Sequence, residues 1–158
     1  MSGPYLLRDM RSDEVPELWR LFHDTIHSVN ARDYDAEQRA AWSPAEPDMK
    51  SWQARMADVA PFVAVADGQI VGFSDLQADG LVDFMFVHHQ WQGKGVAGFL
   101  MDEVDRRAAA MGLTRMYSHV SHTAKGFFER RGWRAVRENH FEMNGVAMSN
   151  WDMEKALT

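Results

Sequence analysis

The sequence contains no cysteine, which excludes a disulfide framework, a thiolate metal site and a cysteine nucleophile. It has no apolar run approaching the roughly 18 residues of a membrane-spanning helix. The opening octet, Met1-Ser-Gly-Pro-Tyr-Leu-Leu-Arg8, lacks the apolar stretch of a secretory signal. Positive charge is not in excess. The net charge of −6 argues against a nucleic-acid partner and agrees with a cationic acceptor. Repeats, linkers and low-complexity segments are also missing. These absences point to a soluble cytoplasmic protein with no membrane or nucleic-acid partner. What is present is 158 residues, 46% apolar and 11% aromatic, enough for one packed domain over residues 1–158.

Tyr5 to Arg8 reads as a first strand. Ser12 reads as a helix N-cap, with Val15, Leu18, Phe22 and Ile26 on one face. Asn30 to Pro47 is irregular around a short helix, and Met49, Trp52, Met56 and Val59 mark a further helix ending near Pro61. The period then changes to two. Phe62 to Ala66, Ile70 to Leu76 and the stretch from Leu81 predict an antiparallel meander turned at Asp67-Gly68 and Asp79-Gly80. Arg115 to Val120 predicts a strand, and Ser121 to Arg131 a helix closed by Gly132. Two last strands pair across Asn144-Gly145. The expected fold is α/β (α+β): a mixed, mostly antiparallel sheet with helices on both faces.

Leu81 to Gly98 organises the rest. Val82 to Val87 reads as a buried strand, and Val96, Leu100, Val104, Ala108 and Met111 recur at helical spacing up to Gly112. Gly93 and Gly95 lie where the intervening loop enters the helix. Unpaired N–H groups and the positive helix end meet an anion there, with Lys94 adding a full charge. The loop reads as a pyrophosphate cradle. A helical connection also predicts that the Leu81 strand and Arg115 to Val120 are parallel neighbours.

Two anion-binding motifs overlap in this loop. Gly93-Lys-Gly-Val-Ala-Gly98 matches the G-x-G-x-x-G dinucleotide fingerprint, an NAD site in its usual setting. That setting requires a carboxylate ending the next strand and a repeated βαβ sheet. Here the strand ends Tyr117-Ser-His-Val-Ser121, and a meander leads into the loop. Read instead as Gln90-Trp-Gln-Gly93-Lys-Gly95, the loop resembles the Gln/Arg-x-x-Gly-x-Gly/Ala motif of the GCN5-related N-acetyltransferases, the GNAT superfamily. Ser121-His-Thr-Ala124-Lys-Gly-Phe127-Phe128-Glu-Arg-Arg-Gly132-Trp133 resembles that family's Asn-x-x-Ala-x-x-Phe-Tyr-Glu-Lys-x-Gly-Phe segment. The order of elements agrees along nearly the whole chain.

The resemblance implies acetyl transfer from acetyl-coenzyme A to a primary amine by direct attack, through a tetrahedral intermediate. It implies that the strand carrying Met85, Phe86 and Val87 splays from its parallel neighbour and binds pantetheine in the gap. Gln90 belongs to the loop motif, and N–H groups from Gln92 through Gly93, Lys94, Gly95 and Val96 to Ala97 would hold the pyrophosphate. Ser121, Ala124, Phe127 and Phe128 would flank the distal pantetheine and the sulfur. The Met85 N–H is the candidate for polarising the thioester carbonyl.

Two family residues are missing. The usual glutamate base falls at Leu81, and Asp83, two residues on and on the same strand face, is the candidate in its place. Its alternative is a carboxylate paired with an arginine or left in solvent. The usual tyrosine acid is Phe128. A thiol with a pKa of about 8.5 leaves tolerably as thiolate, and His119, Ser121, His122 or Tyr117 are substitutes, His119 foremost because it titrates near neutrality. Its alternative is a structural histidine. Tyr34 and Trp42 are candidate acceptor-lining residues, or else core under a loop. Asp75 or Asp79 nearby would suit a small amine, a peptide N-terminus or a lysine.

His119-x-x-His122 and His88-His89 lack ligand spacing on one helical face, so no metal is expected. Phe128 and Leu81 keep open a second reading, a non-catalytic acyl-coenzyme A sensor of the same fold. Sheet edges of this kind leave room for a homodimer.

Overall fold

Side chains of Phe62–Ala66 alternate between two apolar layers: Phe62, Ala64 and Ala66 enter one core, Val63 and Val65 the other. A strand covered on both faces belongs inside a layered α/β structure. The computed structural model describes residues 4–157; Met1 to Gly3, part of the octet read for a signal, lie outside them. The first sheet has the order β1 (Leu6–Asp9), β2 (Phe62–Ala66), β3 (Gln69–Ser74), β4 (Met85–Val87), all antiparallel. The second has the order β5 (Arg115–Val120), β7 (Val146–Ala156), β6 (Arg134–Met143), also antiparallel. Helices α1 (Val15–Ser28) and α3 (Met49–Val59) cover one face of the first sheet, with the short α2 (Ala36–Trp42) between them in sequence. Helices α4 (Val96–Ala110) and α5 (Lys125–Arg130) pack in the other core, where Leu100, Val104, Met116, Phe128 and Met153 are almost fully buried.

The turn chemistry read from the sequence is present at both tight hairpins. Asp67 and Gly68 have φ of 52° and 73°, and Asn144 and Gly145 have 50° and 79°, as a type I′ turn requires. Gly112, with φ 68°, ends α4: its N–H bonds Ala109 C=O, and the Leu113 N–H bonds Ala108 C=O.

Three boundaries differ from expectation. Ser12 opens a 3-10 turn rather than capping α1, which starts at Val15 with Pro16 in its first turn. Glu14 closes the capping box of that 3-10 turn by accepting from the Arg11 N–H at 2.8 Å while pairing with Arg8 at 2.7 Å, and α1 itself has no side-chain cap. Residues 121–124 form turns, because Ser121 Oγ accepts the Ala124 N–H and competes with the helical pattern; α5 begins at Lys125. The predicted strand from Leu81 to Val87 is broken. Only Met85–Val87 pairs with β3, while Leu81 makes a single parallel bridge to Tyr117. Asp79-Gly80 still turns the chain between the antiparallel β3 and β4, closed by Gly80 N–H to Gln77 C=O at 2.9 Å and Gln77 N–H to Leu81 C=O at 2.8 Å, but the residues just after it lean onto β5.

Gly72 on β3 faces α4. A Cβ there would stand 2.9 Å from Val96 Cγ1, 3.0 Å from Leu100 Cδ1 and 3.0 Å from the Phe86 carbonyl oxygen. Gly72→Ala should therefore overpack the β3–β4–α4 contact and lower stability by about 1–3 kcal/mol. Urea unfolding is the check; an unchanged midpoint would show that α4 is free to move away.

Candidate active site

In a regular strand, successive N–H groups point to opposite sides. At Asp83 and Phe84 both point at one carboxylate. Asp75 Oδ1 accepts from the Phe84 N–H at 2.7 Å and from the Asp83 N–H at 3.1 Å, and Asp75 Oδ2 accepts from Gln77 Nε2 at 2.7 Å. The bend this imposes sends the chain away from β3 and towards β5. There the Val82 N–H bonds Tyr117 C=O at 2.9 Å, and Ser118 Oγ donates to Val82 C=O at 2.6 Å. The result is a gap between β4 and β5. Asp75 is 1% exposed. Burial raises its pKa from 3.8 to about 6, against the three hydrogen bonds and with a small push from Asp83. The sequence expectation that Asp75 or Asp79 serves the acceptor is corrected here. Neither lines the cavity: Asp75 holds the bend, and Asp79 accepts from the Tyr117 hydroxyl and the Leu81 N–H on the surface.

A cavity of about 1130 Å³ runs through the gap. At one end it meets Gly93, Gly95, Val96, Ala97 and Gly98, and across from them Ser121, Ala124, Gly126, Phe127 and Phe128. Met85, Phe86 and Val87 lie along it. The Val87 C=O accepts from Thr25 Oγ1 at 3.0 Å and from Gln92 Nε2 at 2.8 Å, so it points away from β3. By strand alternation the Met85 N–H points the same way, into the gap. Gly93 and Gly95 have φ of 71° and 82°, a left-handed conformation that side chains resist. Neither would bring a Cβ within 4 Å of any atom, so their cradle is open. Gly95 is the N-cap of α4 with no side-chain cap, and no acidic residue stands in the first turn. The donor groups and positive end of a 15-residue helix are thus left for an anion. This fits a pyrophosphate. Lys94 has its amine 5.2 Å from the centre of the Trp91 ring and its C=O bonded by the Tyr5 hydroxyl. Gln90 is exposed in the 3-10 turn His89–Trp91 and does not line the cavity.

The catalytic candidates are in less free surroundings. Asp83 borders the cavity but is bonded at 3.1 Å by Arg55, whose guanidinium also lies 4.6 Å from the centre of the Phe84 ring. His119 is on the exposed face of β5, its Nδ1 2.8 Å from Asp152 Oδ1. Asp152 also accepts from Arg137 and Asn139. Burial acts to raise its pKa, and the Asn139, Arg137 and His119 contacts outweigh that and hold it below the ordinary value. Phe128 is 2% exposed and packs edge-on against Trp133.

Away from the glycine loop the cavity is aromatic: Trp19, Phe22, Trp42, Trp52, Phe84 and Phe86 border it. Trp42 stands 5.3 Å from Tyr34 and 6.4 Å from Phe86, ring centre to ring centre. Tyr34 is 4% exposed, and its hydroxyl is occupied: it donates to Ser149 C=O at 2.8 Å and accepts the His122 N–H at 3.1 Å. Arg55, Ser149 and the bend at Asp75 were not foreseen as parts of one site. They come from α3, β7 and the end of β3, and no local motif links them.

Two antiparallel sheets parted beside a glycine-loop helix define an acyl-transferase architecture. A family model described as an acetyltransferase (GNAT) domain matches residues 30–157. The chain belongs to the GNAT acetyltransferase family. It is 26% identical over 147 residues, 93% of either chain, to an uncharacterized N-acetyltransferase, YafP, of Escherichia coli K12. It is 30% identical to a structure described as a GCN5-related N-acetyltransferase, "Aminotransferase, Class-II", from Rhodopseudomonas palustris, with a TM-score of 0.93 over 99% of this chain and 98% of that one. The PaiA N-acetyltransferase of Thermoplasma acidophilum, solved with coenzyme A, shares the fold at 15% identity and a TM-score of 0.74, over 99% of this chain and 100% of its own. The antiparallel sheets also remove the dinucleotide alternative, which needs repeated parallel βαβ units. No helix among the described residues is long and apolar enough to cross a membrane.

Asp75 gives the fold a measurable pH signature. Its carboxyl binds a proton more tightly folded than unfolded, so the stability this contributes is present below about pH 4 and is lost as pH rises to about 6. A shift from 3.8 to about 6 corresponds to about 3 kcal/mol. Melting temperature from pH 4 to 6 should therefore fall for the wild type relative to Asp75→Asn. A constant difference across that window would show that the carboxyl is not perturbed by burial.

Proposed function

We propose that this protein transfers the acetyl group of acetyl-coenzyme A to a primary amine, a small molecule or a peptide or protein amine, within one domain. The open cradle of Gly93 and Gly95 at the uncapped start of α4, at one end of a cavity through the sheet gap, carries this reading. The backbone of Met85, Phe86 and Val87 would take the pantetheine arm as an added strand. Gln92 to Ala97 would hold the pyrophosphate, Lys94 among them adding its charge, and Ser121, Ala124, Phe127 and Phe128 would enclose the thioester end. The Met85 N–H would donate to the carbonyl oxygen where negative charge develops.

Asp83 is the proposed base for the amine. Its bond to Arg55 is compatible with that task when the incoming ammonium replaces the guanidinium. No tyrosine replaces Phe128, so coenzyme A would leave as thiolate, and His119, already bound to Asp152 on the exposed face, is the weaker candidate for proton transfer. Tyr34 and Trp42 would line the acceptor end.

Calorimetric titration with acetyl-coenzyme A, coenzyme A and NAD in parallel tests the cradle. Binding of the coenzyme A forms alone is expected; binding of NAD alone, or of none, overturns the reading. Gly95→Val should raise the KM for acetyl-coenzyme A about tenfold or more, because it forces a β-branched residue into a left-handed conformation. For the base, Asp83→Asn should lower kcat about a hundredfold and leave coenzyme A affinity intact. Unchanged kcat and pH profile would leave Asp83 as the ion-pair partner of Arg55 only.

A further inference from the structure

The acceptor half of the cavity contains one polar group whose direction is dictated by its neighbours. Trp151 Nε1, which can only donate, is 2.9 Å from His122 Nδ1. That nitrogen must present its lone pair, so the proton of the neutral ring is on Nε2. His122 Nε2 lies 2.7 Å from Ser149 Oγ and therefore donates to it. The serine oxygen is fixed as an acceptor on that side, and its own proton has no partner among the described residues. Ser149 borders the cavity. Its backbone is pinned as well, since its C=O accepts from the Tyr34 hydroxyl, which in turn accepts the His122 N–H. Lys125 places its amine 4.4 Å from the centre of the Trp151 ring, holding the indole that starts the chain.

We propose that Ser149 is a specificity residue that donates its hydroxyl proton to an oxygen of the acceptor, with His122 and Trp151 as positioning residues. The acceptor class is then an amine with a carbonyl or carboxylate oxygen near its nitrogen, as in an amino acid, an amino amide or a peptide N-terminus. A bare alkyl or aryl amine offers this hydroxyl no oxygen, and its nitrogen lone pair is needed for attack on the thioester carbon. Nor can the chain readily work in reverse: for His122 to take a proton from substrate through Ser149, Nδ1 would need a proton and would lose the Trp151 bond. The serine is a donor and not a base. The surrounding aromatic wall of Trp42 and Phe86 suits an apolar side chain on the same molecule.

This inference rests on the acetyltransferase reading, and the test separates the two. Coenzyme A release would be followed with phenylalanine, phenylalaninamide and phenethylamine, which share an aryl group and an amine and differ in the oxygen. The wild type should favour one or both oxygen-bearing amines by about tenfold or more in kcat/KM. Ser149→Ala should erase that preference through KM for the amine, leaving KM for acetyl-coenzyme A unchanged, and Ser149→Thr should restore it. Preference for phenethylamine, equal use of all three, use of none, or an equal loss on all three in Ser149→Ala would overturn the proposal. Failure of coenzyme A to bind in the calorimeter would instead overturn the parent reading. Nitrogen NMR of histidine-labelled protein gives a readout free of substrate. His122 should show the Nε2–H tautomer, turning to a mixture in Trp151→Phe; an Nδ1–H tautomer in the wild type would refute the arrangement.

Discussion

Asp83 and Phe84 offer two successive N–H groups, which a regular strand would send to opposite sides, and the Asp75 carboxyl accepts both. A single acceptor can do so only where the backbone turns. The chain therefore leaves β3 after Met85–Val87, counted from the loop end, and reaches β5 at Leu81 and Val82. Every later feature of the site depends on that bend. It separates the two sheets, opens the space that the Met85 N–H faces, and lets the cavity pass from the start of α4 to the hairpin of β6 and β7. A hydrophobic residue at position 75 would leave two N–H groups buried without an acceptor, at about 1–3 kcal/mol each. A buried carboxyl is itself unfavourable, as its raised pKa records. The fold retains it because the alternative is an unbroken strand with no gap.

Several charges elsewhere are tied down in pairs. On the exposed face of the second sheet, Glu154 lies between Arg115 and Arg134, and Asp152 between His119 and Arg137. Such exposed pairs add little stability, but they keep acids on the hairpin occupied. Asp83 is bound by Arg55. The polar groups of the acceptor half divide in the same way. The Tyr34 and Thr25 hydroxyls bond to backbone carbonyls, whereas the Ser149 proton is left over. Recognition in a largely aromatic cavity then falls to few groups, each with a fixed direction.

Much of the frame was legible in the sequence because it depends on local chemistry. Asp67-Gly68 and Asn144-Gly145 set their hairpins by φ alone, Gly112 ends α4 as a C′ residue, and Gly93 and Gly95 take the left-handed conformation where the loop enters α4. The broken strand was not legible. Val82 to Val87 has the composition of a continuous strand, and only the carboxyl eight or nine residues earlier in the chain reveals that it bends. The starts of α1 and α5 were displaced by side-chain caps, Glu14 onto Arg11 and Ser121 onto Ala124, that compete with helical spacing. Within the site, pairing with an arginine was one of the readings of Asp83, but the sequence did not say which one, because Arg55 is 28 positions away on α3. Tyr34 was expected to offer a polar handle, and its hydroxyl instead braces Ser149 and His122, both more than 80 residues on. Long-range side-chain pairing of this kind leaves no periodic trace.

The replacement of the usual tyrosine by Phe128 has a physical consequence for how such a site can work. Phe128 is buried against Trp133, and no proton donor stands at its position. With a thiolate as leaving group, the barrier is lowered chiefly by holding the two reactants and by donors already aimed at the developing charge. Both are properties of backbone geometry, and here that geometry comes from the bend at Asp75. In the proposed reaction a carboxyl that never touches substrate would thus act by holding open the space that the Met85 N–H faces. The same logic applies at the other end of the cavity, where Trp151 acts on the acceptor only through the tautomer it imposes on His122 and the proton this leaves on Ser149. In each case a group outside the proposed reacting centre decides what a single hydrogen faces, and the low-polarity walls between them make that placement count.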